Sequence, residues 1–219
     1  MTDSEKASIK SKWSNFWYYY KTRVIVIAFG VFVFIFLLSS LFTKDKVDLR
    51  IFYVTGDPVV FTEKITNLTK AIKEYTPDLN GDGKTVVSIE NIYVGENHDN
   101  QSVINNKKRL MTILRTGDSM FLIADKIGME YLIEAGSLAD ISDIATEMNY
   151  GGMGWLANGS EFMKQEISGF EDDLYMGLRV YQGTIAELLP DSQKYYEFSK
   201  EVLTRIINNE KVKINEDVS

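Results

Sequence analysis

The sequence predicts an α/β domain, one largely parallel sheet flanked by helices, carried behind one N-terminal transmembrane helix. Three observations lead there. Val24 to Phe42, VIVIAFGVFVFIFLLSSLF, is a run of nineteen residues without a charge. As a helix it extends roughly 28 Å, the thickness of a hydrocarbon core. Behind it, short apolar strand-like runs alternate with helical stripes, the pattern of a sheet with helical crossovers. Finally, 45% hydrophobic residues and three prolines among 219 are enough to bury a core and exclude wholesale disorder.

The apolar run comes first in the chain. A buried core helix seldom runs so long without a polar face, so a membrane span is the expectation. Residues 1–23 carry Lys6, Lys10, Lys12, Lys21 and Arg23 against Asp3 and Glu5, a net of +3. Since the whole chain is −7, the part after the run is −10. The cationic excess before the span places the N-terminus in the cytoplasm and everything after Thr43 outside. Trp13, Phe16, Trp17 and Tyr20 recur at helical spacing just ahead of it, and rings beside cations suit the headgroup zone. A cleaved signal peptide fits less well, because the apolar core is long and LLSSLFTKDK offers no small-x-small site. An uncleaved signal anchor is therefore expected. One span cannot by itself form a channel.

The elements of the outer part follow in order. VDLRIFYV, residues 47–54, reads as a strand. Phe61, Ile65, Leu68, Ile72 and Tyr75 form one helical stripe, and TVVSIENIYV, 85–94, holds a second strand. Residues 101–115 read as a helix with Val103, Leu110 and Leu114 inward. MFLIA, Met120 to Ala124, is a continuous apolar run, as in a strand covered on both faces. A further helix ends near Gly136, and the pattern weakens through MNYGGMGWLANGS, read as a mobile surface loop carrying Trp155. Leu174, Met176, Leu178 and Val180 alternate as a strand. Asp191 after Pro190 is the expected N-cap of a last helix with Tyr195, Phe198, Val202, Leu203 and Ile206 inward. The organisation predicted is a basic, aromatic juxtamembrane segment (1–23), the span (24–42), an extracytoplasmic α/β domain (45–212) and a tail (213–219).

Composition removes several chemistries. Cysteine is absent and His98 is the one histidine, which excludes thiol nucleophiles, disulfides and structural zinc sites. An outer part at −10 is a poor partner for phosphate backbones, so nucleic acid is not expected. His98 stands in ENHDNQ with no nucleophile motif beside it, and NYGGMGW lacks the Walker lysine. Glu171, Asp172 and Asp173 read as a solvated turn, and Asn67-Leu-Thr and Asn158-Gly-Ser are sequons that matter only in a glycosylating host. No enzyme is expected.

Two places remain as candidate sites. Ligands of open α/β sheets bind beyond the carboxyl ends of the strands, which here means Thr55, Gly56, Asp57 and Asp125. The competing reading makes Asp125 a helix cap and Gly56-Asp57-Pro58 a turn. The other place is DLNGDGK, where Asp78, Asn80, Asp82 and the Lys84 carbonyl occupy positions 1, 3, 5 and 7 of a Ca2+ loop with Gly83 at 6. Position 12 is Ile89 and the nearest acid is Glu90, so the cage is incomplete. Asp, Asn and Gly also serve turn geometry without any cation, and both readings stay open.

A resemblance adds to these readings. KKRLMTILRTGDSMFLIADKIGMEYLIEAGSLADISDIA, Lys107 to Ala145, is similar to the segment of extracellular solute-binding proteins in which a helix, a Gly-Asp turn, a buried strand and a short helix ending in G-x-L-x-D-I follow one another. LYMGLRVYQGT and the helix with EVLTRIIN look like the returning strand and closing helix of such a lobe. The family closes two lobes on a ligand, and the stretch from Gly136 to Leu174 is too short to hold a second one. The resemblance thus implies a single solute-binding-like lobe of Gram-positive bacterial type. It would be tethered outside the cell, non-enzymatic, and engage a protein partner at the membrane's outer surface or a small solute. The alternative is a structural or assembly subunit of an envelope or transporter complex that binds no small molecule.

Overall fold

The computed structural model describes residues 3–42, 46–59, 62–95, 100–117, 119–145, 149–164, 167 and 173–212. They belong to two compact units, Met1–Asp45 and Lys46–Ser219. The first is one helix, α1 (Asp3–Phe42). Its stretch Phe16–Ile35 is long and apolar enough to cross a membrane, and none of those side chains is buried. A helix of this kind fits a membrane anchor or a signal sequence. Phe16 stacks on Tyr20 with ring centroids 5.2 Å apart, and the Arg23 guanidinium lies 5.9 Å from the Tyr20 ring centre.

The second unit is a five-stranded sheet with helices on both faces. Its elements run β1 (Leu49–Thr55), α2 (Thr62–Lys73), β2 (Val87–Tyr93), α3 (Gln101–Thr116), β3 (Phe121–Ala124), α4 (Lys126–Glu134), β4 (Trp155–Leu156), α5 (Glu161–Lys164), β5 (Tyr175–Leu178) and α6 (Ser192–Ile207). Strand order is β2-β1-β3-β5-β4. β1 pairs parallel with β2 and β3, whereas β5 pairs antiparallel with β3 and β4. The sheet is therefore mixed, and the largely parallel expectation holds for β2-β1-β3 but not for β5. After α4 the chain forms β4 in the same direction as β3, and β5 then returns antiparallel between them.

Side-chain alternation builds two cores from one strand. Leu49, Ile51 and Tyr53 of β1 join Phe121, Ile123, Met176 and Leu178 on the face covered by Leu68 and Ile72 of α2 and by Phe198, Val202 and Leu203 of α6. Phe52 and Val54 point the other way, to Leu122, Ala124, Leu110 and Leu114 of α3, and Met129 and Leu132 of α4. All four residues of β3 and all four of β5 are buried. β5 is thus covered on both faces. Local signals set the helix ends: Asn100 accepts from Ser102 N at the start of α3, and Gly117 closes it at φ 76°.

Other expectations are corrected. Trp155 is not on a surface loop but 7% exposed on β4, paired with Met176. Tyr195 is exposed while Phe198, Val202, Leu203 and Ile206 are buried. Asp191 stands at the N-cap position of α6 in the left-handed region, φ 61°, with no side-chain capping bond. Phe61, His98, Glu171, Asp172 and the 213–219 tail lie outside the described residues. Asp173 accepts from the Tyr175 hydroxyl at 3.2 Å.

Candidate functional site

Register fixes which residues share an end of the sheet. Leu49 faces Val87, Ile51 faces Phe121, and Phe121 faces Leu178. The amino ends of β1, β2 and β3 therefore lie together with the carboxyl end of β5. Thr55, Tyr93 and Ala124 mark the opposite end. The two candidate sites fall at opposite ends of the sheet.

At the carboxyl end, Thr55, Gly56, Asp57 and Asp125 do come together. The Thr55 hydroxyl donates to Asp125 Oδ2 at 2.6 Å, and Gly56 N donates to the same oxygen at 2.8 Å. Asp125 Oδ1 accepts from Gly128 N at 2.7 Å, which makes Asp125 the N-cap of α4. Asp57 N donates to Thr55 Oγ1 at 2.9 Å, and Asp57 Oδ1 accepts from Val59 N at 2.8 Å, closing a turn. Thr55 is fully buried and Asp125 only 9% exposed. A Cβ on Gly56 would stand 2.5 Å from Ile127 Cδ1, and one on Gly128 2.0 Å from Val54 O. Helix α4 thus sits directly on the end of β1, and this carboxylate is spent on joining them.

At the amino end, Asp78 Oδ1 accepts from Gly81 N and Oδ2 from Gly83 N, both at 2.7 Å. Asn80 Oδ1 accepts from Asp82 N, and Asp82 Oδ1 from Lys84 N, each at 2.9 Å. Gly81 and Gly83 supply the positive φ angles, 73° and 82°, that the coil needs. Partial desolvation pushes the Asp78 carboxyl up, but the N–H groups of Gly83, Gly81, Asp82 and Asn80 outweigh it and hold it below its ordinary value. The loop is anchored from beneath by a residue the sequence pattern did not single out. Asp48, 3% exposed, accepts from Leu79 N, Asn80 N and Asn80 Nδ2 on Oδ1 and from Val86 N on Oδ2. The available signal was an acid heading an apolar run, VDLRIFYV.

As a cation site the loop offers Asp78, Asn80, Asp82 and the Lys84 carbonyl, half of a calcium shell. Glu90, the nearest acid to position 12, is paired with Arg109 Nη2. Among the described residues no three His, Cys, Asp or Glu side chains converge as metal ligands. The loop thus presents half of a calcium shell, held in place by the hydrogen bonds that Asp48 accepts.

Of three concavities among the described residues, none is lined by Thr55, Gly56, Asp57 or Asp125. One of about 290 Å3 opens at the amino end of the sheet, between Val47–Arg50 and Leu189, Ser192 and Tyr195. A second of about 160 Å3 lies beside Arg115, Gly136 and Ile185. The third, about 580 Å3 and shallow, lies beside Asp143, Gly152 and Ile207. Drug-sized ligands occupy enclosed sites of about 300–1,000 Å3, so the first lies near the lower bound and the third, though larger, is open. In comparisons with protein-family models, curated proteins and solved structures, nothing matches the chain.

Proposed function

We propose that the chain is a single-pass membrane protein, N-terminus cytoplasmic and α/β domain extracytoplasmic, acting as a non-enzymatic accessory module that engages a protein partner or ligand at the cell surface. One observation carries this reading. An uncharged nineteen-residue run lies inside one unbroken helix, behind cationic residues and ahead of an acidic domain with its own cores. The solute-binding resemblance supports a lobe built for contact. Tethering raises effective concentration, so a weak surface still acts on a neighbouring membrane complex.

Because the chain has no cysteine, single substitutions test the topology cleanly. On intact cells a membrane-impermeant maleimide should label Glu210→Cys and spare Ser4→Cys; the reverse result overturns the orientation. A thermal-shift panel of sugars, peptides and millimolar calcium separates binding from the second reading, a structural assembly subunit, which the closed carboxyl-end network favours. Calcium is expected to shift the midpoint little. A rise of several degrees that disappears in Asp82→Asn would instead make the Asp78 loop a cation site.

A further inference from the structure

Four apolar side chains lie uncovered around the amino end of the sheet. Ile185, Leu188 and Leu189 are 64%, 83% and 40% exposed, and Tyr195 is 46% exposed. The other exposed large hydrophobic residues described in the domain, Val59 and Ile127, belong to the opposite end. Ile185–Leu188 is a short 3-10 turn that contacts both α3 and α6. Leu189 and Tyr195 line the same cavity as Val47, Leu49 and Arg50. Soluble surfaces scatter such residues singly, and a cluster marks something that covers it.

Chain length names the cover. Only Thr43, Lys44 and Asp45 separate Phe42, the last residue of the apolar run, from Lys46, the first residue of the domain. Four extended steps reach at most roughly 14 Å, so on the membrane reading the chain enters the domain no farther than that from Phe42, and Leu189 and Tyr195, which share a cavity with Val47 to Arg50, come within reach of lipid. Exposed Lys46, Arg50, Arg115 and Lys194 share this end with exposed Asp82, Glu187 and Asp191, so apolar contact rather than net charge carries the docking.

We infer that this end of the domain is a lipid-docking surface: Leu188 and Leu189, with Ile185 and Tyr195 beside them, enter the headgroup zone of the bilayer that anchors the chain. The inference rests on the membrane reading above. Docking turns the Thr55–Asp125 end away from the membrane, toward partners approaching from outside.

The test uses the full-length protein in vesicles of zwitterionic and anionic phospholipid, with a fluorophore on Leu188→Cys, on Lys126→Cys at the opposite end, or on Phe32→Cys within the apolar run. Nitroxide-bearing lipids should quench the Leu188 label roughly threefold more than the Lys126 label, as a side chain ~5–10 Å deep in the interface requires. If Phe32 is quenched but Leu188 no more than Lys126, the docking surface is overturned and the anchor stands. An unquenched Phe32 overturns the membrane reading and the docking together. A Leu188 label shielded from aqueous quencher, unquenched by lipid nitroxide and dependent on protein density shows a second copy covering the patch, and also overturns the inference.

Discussion

Asp48 takes the backbone N–H groups of Leu79, Asn80 and Val86 onto one buried carboxylate. Removing it leaves those part-buried donors without their acceptor. Asp48→Ala should therefore cost about 3 kcal/mol, read as a fall in urea midpoint for a 46–219 fragment. Gly128 is constrained from another direction, since a Cβ there would stand 2.0 Å from Val54 O. Backbone cannot yield as a flexible side chain does, so Gly128→Ala should destabilise by about 2–3 kcal/mol or prevent folding. Part of the pH response belongs to Asp78. Its carboxyl is held low in the folded state, so its contribution is present above the unfolded value and is lost as pH falls through the folded one. Wild-type stability should drop from about pH 4 downward, and Asp78→Asn should flatten part of that slope in acid unfolding. A residual slope is expected from Asp140, which the Ser142 hydroxyl and N–H hold low against slight desolvation.

At the scale of elements, β4 shows how little strand is needed once its side chain is in the core. Two residues pair with β5, yet Trp155 joins the core with Met176 and Leu174. Trp155→Ala should cost about 3–5 kcal/mol, measurable by thermal unfolding followed with circular dichroism. Much of that loss comes from the cavity left against β5. The approach to β4 is bent by Gly151 and Gly152 at φ 65° and 96°, and a Cβ on Gly152 would stand 2.6 Å from Asp140 Oδ1. Gly151 supplies a positive φ in open space, and Gly152 combines a positive φ with no room for a side chain. Helix α4 joins the two ends of the sheet, capped by Asp125 at one and closed near Gly136 at the other.

For the whole molecule, each unit is compact by its own contacts. The second unit carries both cores, so the 46–219 fragment should fold without α1. That fragment keeps Trp155 and lacks Trp13 and Trp17, so its fluorescence reports the β4 environment alone. Coincident single transitions by Trp155 emission and by circular dichroism are the expected result. Separate transitions, or an unfolded fragment that orders only with a partner, would mark an obligate subunit instead. The two ends of the domain differ: Ile185, Leu188, Leu189 and Tyr195 are exposed at one, and the Thr55–Asp125 network closes the other.

Much of this was legible without coordinates, because it depends on short-range patterns. Leu68, Ile72 and Tyr75 recur at helical spacing and are buried together; MFLIA is apolar throughout and lies covered on both faces. The nineteen uncharged residues needed only counting. Pairing direction was not legible, since the alternation of β5 is the same whichever way the strand runs, and only its neighbours β3 and β4 make it antiparallel. The part played by Asp48 was hidden for the same reason: its partners Leu79, Asn80 and Val86 lie more than thirty positions away. Sequence by itself determined the apolar helix, the stripes and the turn residues, which follow from each side chain's own preference for water, lipid or backbone. Tertiary structure decided which polar groups are spent internally, because satisfying a buried carboxylate depends on distant chain arriving at hydrogen-bond distance.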